Sequence, residues 1–216
     1  MNLQKMFIII ILLVKVCYAD ESFQKILKKA EKGDAKAQYE LGIMYFDGLN
    51  DDGTGIKKDL IKAKYWILKA ANHGHAHAEM ELGYMYYLGE GVKKDLIEAS
   101  KWFKKAAKQG NYASQSKLGK MYYLGEGVKK DLIEASKWFR KAAKQGDAYS
   151  LYELGKMYEE GIGVEKNLGE ALKFLKILAD RGLSDAQYRV GVMYEEGMGT
   201  NKDIKKAIEY YKKASI

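Results

Sequence analysis

The chain of 216 residues carries 37 Lys and Arg against 29 Asp and Glu, 47% hydrophobic residues, 22 glycines, one cysteine and no proline. This balance excludes a collagen, a glycine-free coiled coil, a disulfide scaffold and a disordered tail. A soluble, mostly helical protein is what it leaves.

The N-terminal segment reads as an export signal. Lys5 precedes an apolar run from Met6 to Val14, followed by Lys15, Val16, Cys17, Tyr18 and Ala19, with Asp20 opening a polar stretch. A charged start, a short apolar core and small residues at alternate positions predict a secretory signal peptide over residues 1–19. The apolar run is too short to span a bilayer. Because Lys15 stands close to the cleavage point, a retained N-terminal anchor is the alternative, and the one route to a membrane. Val16 is too bulky before Cys17 for lipoprotein processing. A secreted or periplasmic location is therefore expected. Cleavage takes Lys5 and Lys15 and no acid, lowering the net charge from +8 to +6, and removes the lone cysteine. The mature chain would then depend on helix packing alone, with neither a disulfide, a catalytic cysteine nor a thiolate metal site.

The remainder, residues 20–216, is organised by repetition. A lone helix is expected over 22–33, followed by five units near 37–77, 78–113, 114–149, 150–185 and 186–216. Leu82, Leu118, Leu154 and Val190 stand 36 residues apart, and Leu41 joins the series after a five-residue insertion, Leu49 to Gly53. The block Met85 to Gly110 recurs as Met121 to Gly146 with one difference, Arg140 in place of Lys104.

Each period holds two helices. In the second unit, Ala78, Leu82, Met85 and Tyr86 recur at helical spacing until Gly89-Glu90-Gly91 breaks the run, which predicts helix A over Ala78 to Leu88. Asp95 stands as an N-cap before Leu96, Ala99, Trp102, Phe103, Ala106 and Ala107, and Gly110 closes helix B. Short loops make consecutive helices antiparallel, and one pair cannot bury its own apolar stripe, so pairs must stack into an α-solenoid. Gly42, Gly83, Gly119, Gly155 and Gly191 lie inside helix A, each at a cost of about 1 kcal/mol relative to Ala. A close backbone crossing is the expected reason. The pairs Ala70-Ala71, Ala106-Ala107 and Ala142-Ala143 suit tight packing, and Trp66, Trp102, Trp138, Phe174 and Tyr210 fill the wider gaps.

The spacing of Ala78, Leu82-Gly83, Met85-Tyr86, Gly89, Gly91-Val92 and Lys94-Asp95, then of Ala99, Trp102-Phe103, Lys105-Ala106-Ala107 and Gly110, resembles the Sel-one-like repeat, a relative of the tetratricopeptide repeat. The resemblance covers five copies from Ala37 to Ile216, with Phe23 to Gly33 similar to a preceding lone helix B. It implies a right-handed all-α solenoid that serves protein–protein contacts. The family's secreted cysteine-rich branch bridges each repeat with a disulfide and has been classed as β-lactamase-like; the lack of mature cysteines here separates this chain from it.

In such a solenoid helix A lines the inner curve, so positions that vary there are candidates for recognition. Two steps after each reference Leu or Val come Ile43, Tyr84, Lys120, Lys156 and Val192. Five steps after it come Phe46, Tyr87, Tyr123, Glu159 and Glu195, and six steps after it Asp47, Leu88, Leu124, Glu160 and Glu196. The strip thus runs from aromatic and apolar to acidic, which suits a peptide with an apolar end and a basic end. Packing between pairs is the alternative use for the same tyrosines.

Other features support weaker readings. Lys101, Lys104, Lys105 and Lys108, repeated at Lys137, Arg140, Lys141 and Lys144, form a basic ridge that would meet a cell-wall or other anionic surface polymer, or else is a solvated face. Nothing resembles a nucleic-acid module. His73, His75 and His77, with Glu79 and Glu81 nearby, raise a Zn²⁺ or Cu²⁺ site, although His75 also occupies the helix-start slot of Asp34, Asn111 and Asp147. Asp47, Asn50, Asp51 and Asp52 invite a calcium reading, but Gly48 and Asp59 stand where an EF-hand places its first and twelfth ligands. Ser22-x-x-Lys25 and Ser114-x-x-Lys117 match the motif of penicillin-interacting enzymes without its companion elements, which keeps a wall-directed or β-lactamase-like enzyme as an alternative. No cofactor is expected. The last helix leaves Ile208, Tyr211 and Ala214 without a following repeat.

Overall fold

The computed structural model describes residues 21–48 and 56–215. The expected signal peptide and Asn50, Asp51 and Asp52 of the candidate calcium loop lie outside the described residues; Asp59, its twelfth position, caps a helix instead.

Every described regular element is an α-helix. Helix α1 occupies 21–31, and the helix pairs follow: α2 (Ala35–Asp47) with α3 (Leu60–Asn72), α4 (Ala76–Leu88) with α5 (Leu96–Lys108), α6 (Tyr112–Leu124) with α7 (Leu132–Lys144), α8 (Ala148–Glu160) with α9 (Leu168–Asp180), and α10 (Ser184–Glu196) with α11 (Ile204–Ala214). The even-numbered members are the expected A helices and their partners the B helices. The fold is an α-solenoid of five helix-pair repeats. The described residues divide into two compact units, one up to Gln109 and the other from Gly110.

Local chemistry sets the helix ends. The B helices start on Asp59, Asp95, Asp131, Asn167 and Asp203, whose side chains accept first-turn amides. Asp95 Oδ1, for instance, takes Ile97 N–H at 3.0 Å and Glu98 N–H at 2.9 Å. The A helices start on Asp34, His75, Asn111 and Asp147, used in the same way, but on Leu183 in α10, which offers no side-chain bond. All five A helices end on a glycine whose N–H bonds the carbonyl of the repeat methionine, Met44, Met85, Met121, Met157 or Met193.

In the first unit, Ala63, Ile67, Ala70, Ala71, Leu82 and Trp102 form one core, and Ala30, Ala37 and Leu41 form a smaller one capped by Trp66. In the second, Phe139, Leu154, Leu175, Val190 and Tyr210 belong to one continuous core. The helical glycines have the expected packing role, but the partner differs between repeats. A Cβ on Gly83 would meet the Phe103 ring at 2.8 Å, and one on Gly119 would meet the Phe139 ring at 2.6 Å. At these two positions a helix-B ring rather than a crossing backbone lies on the glycine, whereas a Cβ on Gly42 would meet the backbone N of Ile67 at 3.0 Å as well as its Cγ1 at 2.6 Å. Tyr211 occupies the ring slot over Gly191 and is half-buried, so it is not on an uncovered face as its sequence position suggested. Ile208 is exposed.

Candidate functional site

The face of each A helix that stays accessible follows helical arithmetic. Measured from the reference Leu or Val, it comprises steps −5, −1, +2 and +5, intervals of four, three and three that align along one side. The sequence strip contained only the later half; continuing it backwards by three and four residues would have found the rest.

In the first unit this face carries Glu40, Ile43 and Phe46 on α2, and His77, Glu81, Tyr84 and Tyr87 on α4; all but His77 are half-buried. Leu88, one step further, is 56% exposed. Tyr39 stacks on His75 with ring centroids 4.7 Å apart and lies 6.2 Å from His77. Burial pushes the Tyr39 phenol above its ordinary pKa, helped by Glu81 and Asp47. Burial likewise raises the Glu81 carboxyl, reinforced by Asp47 and opposed by His77. Lys58 lies 5.2 Å from the Phe46 ring and Lys94 6.0 Å from that of Tyr87. This end is therefore aromatic, as expected, but also acidic.

In the second unit three A helices contribute. The −1 positions read Lys117, Glu153 and Arg189, alternating in sign; the +2 positions are Lys120, Lys156 and Val192; the +5 positions are Tyr123, Glu159 and Glu195. Burial, then Lys120, holds the Lys117 amine below its usual range. Lys120 Nζ lies 5.7 Å from the Tyr149 ring centre. Tyr149 is pushed up to about 12 by burial, then by Glu153, with Tyr123 and Asp147 adding to it. Arg189 pairs with Glu159 and donates through Nη1 to the Tyr152 hydroxyl at 3.3 Å. Glu195 accepts from the Tyr211 hydroxyl at 2.5 Å. The acidic half expected from the sequence is thus partly neutralised: Glu159 and Glu195 are engaged, while Glu160 and Glu196 are exposed. Leu124 is 48% exposed beside the half-buried Tyr123.

A recurrent polar contact went unread in the sequence. The residue that caps the C-terminus of a B helix reaches back to the A helix of its own repeat: His73 Nδ1 to Gln38 Oε1 at 2.9 Å, Gln109 Nε2 to Glu79 Oε2 at 2.8 Å, and Gln145 Nε2 to Gln115 Oε1 at 2.9 Å. His73 therefore belongs to a structural series. His75 caps α4 by accepting Ala78 N–H at 3.3 Å, and His77 is exposed. Among the described residues no three His, Cys, Asp or Glu side chains are grouped to hold a metal.

The serine of Ser114-x-x-Lys117 is overturned as a nucleophile. Ser114 is 0% exposed and its hydroxyl has no hydrogen-bond partner, so no substrate reaches it. Ser22 and Lys25 are exposed on α1, without the enclosure that activates a serine–lysine pair. On the B helices, Lys101, Lys137 and Lys173 pair with Glu98, Glu134 and Glu170 at 2.9, 3.2 and 3.4 Å, while Lys105 and Lys141 lie 3.7 and 4.1 Å over Trp102 and Trp138. Much of the basic ridge is spent locally.

Five successive stretches, 35–75, 76–111, 113–147, 148–183 and 184–215, match the Sel1 repeat. A protective antigen of uropathogenic Escherichia coli displaying an SLR fold is 38% identical with a TM-score of 0.80; the match covers 89% of this chain and 40% of the antigen. A Sel1 repeat protein from Oxalobacter formigenes is 30% identical with a TM-score of 0.78, over 90% of this chain and 83% of that one. No curated protein matches the chain. With a repeat match running almost unbroken from α2 to α11, the chain belongs to the Sel1 repeat family.

Proposed function

We propose that this protein is an exported scaffold that binds a protein or peptide through the accessible faces of its A helices. The observation that carries the reading is the use of those faces. The repeated Ala, Leu or Val and Gly of the A helices are buried, as is the Met of every repeat but the first, whereas the varying residues bring Tyr123, Tyr149, Lys120 and Lys156 to an accessible surface. Aromatic anchors ordered before binding lose little entropy on contact, which is how a few residues supply most of an interface's energy. The first unit offers Tyr84, Tyr87 and the exposed Leu88 for the same purpose.

Crosslinking pull-down of the mature protein from its own cell envelope tests this. Tyr123→Ala with Tyr149→Ala, and separately Tyr87→Ala with Leu88→Ala, should each reduce recovery of a specific partner at least tenfold while the helical circular dichroism is retained. Unchanged recovery with all four substitutions combined would overturn the reading. Export is tested independently by the N-terminus of the protein recovered from cells, expected at Asp20.

A further inference from the structure

The B-helix side of the second unit holds a hollow that the A-helix reading does not use. It measures about 510 Å³ and lies between α7 and α9. Ala143, Leu151, Phe174 and Ile177 make it apolar, and Arg140, Lys144, Lys173 and Arg181 surround it. Glu170 is the one acid in its wall and is paired with Lys173. Arg140, Lys144 and Arg181 form no ion pair among the described residues.

The residues around the hollow differ from those at the equivalent positions of the preceding repeats. At the positions of Phe174 and Ile177, the two preceding repeats place Trp102 with Lys105 and Trp138 with Lys141, and in both the lysine lies over the indole. Phe174 is smaller than Trp, and Ile177, 38% exposed, leaves it without that lid. At the position of Arg181 those repeats have Gln109 and Gln145, and Arg140 is the single departure from the otherwise identical preceding block. The following gap is built differently: Asp180, at the position of Lys144, accepts from the Tyr210 hydroxyl at 3.2 Å. The fourth repeat therefore lacks the Trp–Lys cover of its predecessors, and the hollow holds one guanidinium from each of the two repeats that form it, Arg140 on α7 and Arg181 at the end of α9.

Those groups are held in place at opposite ends. Arg140 Nη2 donates to the Tyr158 hydroxyl at 2.6 Å, and Arg181 Nη1 donates to the Gly146 carbonyl at 2.6 Å. Arg140 and Lys173 belong to the N-terminal side of the hollow; Lys144 and Arg181 lie about a helical turn or more further along α7 and α9. Each guanidinium keeps further N–H donors for a second acceptor, in the planar fork that suits a carboxylate. Cations at both ends and an apolar floor between them call for an occupant of the opposite pattern.

We infer that this hollow binds an acidic peptide segment of a partner protein, in which one aliphatic or aromatic side chain enters between Phe174 and Ile177 and flanking carboxylates meet Arg140 and Arg181. The volume is that of a pocket for one or two side chains. The site is independent of the A-helix faces, and its occupant is the electrostatic opposite of the basic-ended peptide expected from the sequence strip.

The test is an array of octapeptides carrying one Leu or Phe flanked on both sides by Asp or Glu at varied spacing, read by fluorescence anisotropy with the intact mature protein. Phe174→Trp with Ile177→Lys rebuilds the cover that the chain already folds at Trp138 and Lys141, and Arg140→Lys with Arg181→Gln restores the residues of the preceding repeat. Saturable binding that weakens at least tenfold in each pair, and equally when the Leu or Phe becomes Ser, supports the proposal. Three results would overturn it: no peptide binding above the closed variant, binding unaffected by loss of the apolar side chain, or phosphatidylglycerol vesicles captured with this variant dependence while the peptides are not. Tyr123→Ala with Tyr149→Ala is expected to leave octapeptide binding unchanged, which separates this site from the A-helix face.

Discussion

A glycine inside a helix is defined by the atom that lies where its side chain would be. At Gly119 that atom belongs to the fully buried Phe139 ring, 2.6 Å from the added Cβ. Gly119→Ala gains about 1 kcal/mol of helix propensity but must displace a ring with no room to move, at about 1–3 kcal/mol. A net loss in urea denaturation is expected. Gly169, also helical, is the control: its Cβ would approach only Asn167 Oδ1 at 3.3 Å and the Gly199 carbonyl at 3.6 Å. Gly169→Ala should be neutral or stabilising by up to about 1 kcal/mol. His75 offers a second test at this scale. Its pKa is lowered from 6.5 by burial first and then by His77 and Lys36, while Glu40 opposes them. The unfolded chain therefore binds the proton more readily than the folded one. The contribution of neutral His75 is present above about 6.5 and is lost as pH falls through the lowered folded value. Thermal melts at pH 7.5 and 5.5 should show this loss, and His75→Asn, using the residue found at Asn111, should reduce it.

At the scale of the helix, capping decides where each element begins. Asp95 accepts two first-turn amides, so Asp95→Ala should cost about 1 kcal/mol. Leu183 has the same extended backbone as Asp147, φ −74° and ψ 112° against −62° and 116°, yet supplies no acceptor and is 40% exposed. Leu183→Asp should therefore stabilise α10 by about 1 kcal/mol in denaturant melts. A lower midpoint for this variant would show that Leu183 contributes more by packing than a cap would.

Across the whole molecule, stability in a helical repeat protein is close to a sum of intrinsic and nearest-neighbour terms. Phe139 is fully buried in the core of the second unit. Phe139→Ala should remove about 3–5 kcal/mol and lower amide-exchange protection across α6 to α9. The amides of α2 to α4, whose cores are separate clusters, should retain theirs. Uniform loss of protection from α2 to α11 would instead mean that the repeats unfold as one cooperative body.

The repeat length, the helix pair and the residues at helix ends were legible in the amino-acid sequence, because each is a local property repeated five times. Asp95, Gly89 and the alanine pairs announce themselves by spacing alone. The sequence also picked out the later half of the accessible A-helix face, where side chains vary from repeat to repeat. It could not place Arg189 on Glu159, Tyr211 over Gly191 or His73 on Gln38. Those partners stand 20 to 35 residues apart, and their pairing depends on how one helix lies on another. For the same reason, only the tertiary structure separated the acids still available from those already engaged. It also gathered four differences between repeats that lie scattered along the chain, at Arg140, Phe174, Ile177 and Arg181, into one open hollow, because packing alone brings α7 and α9 side by side.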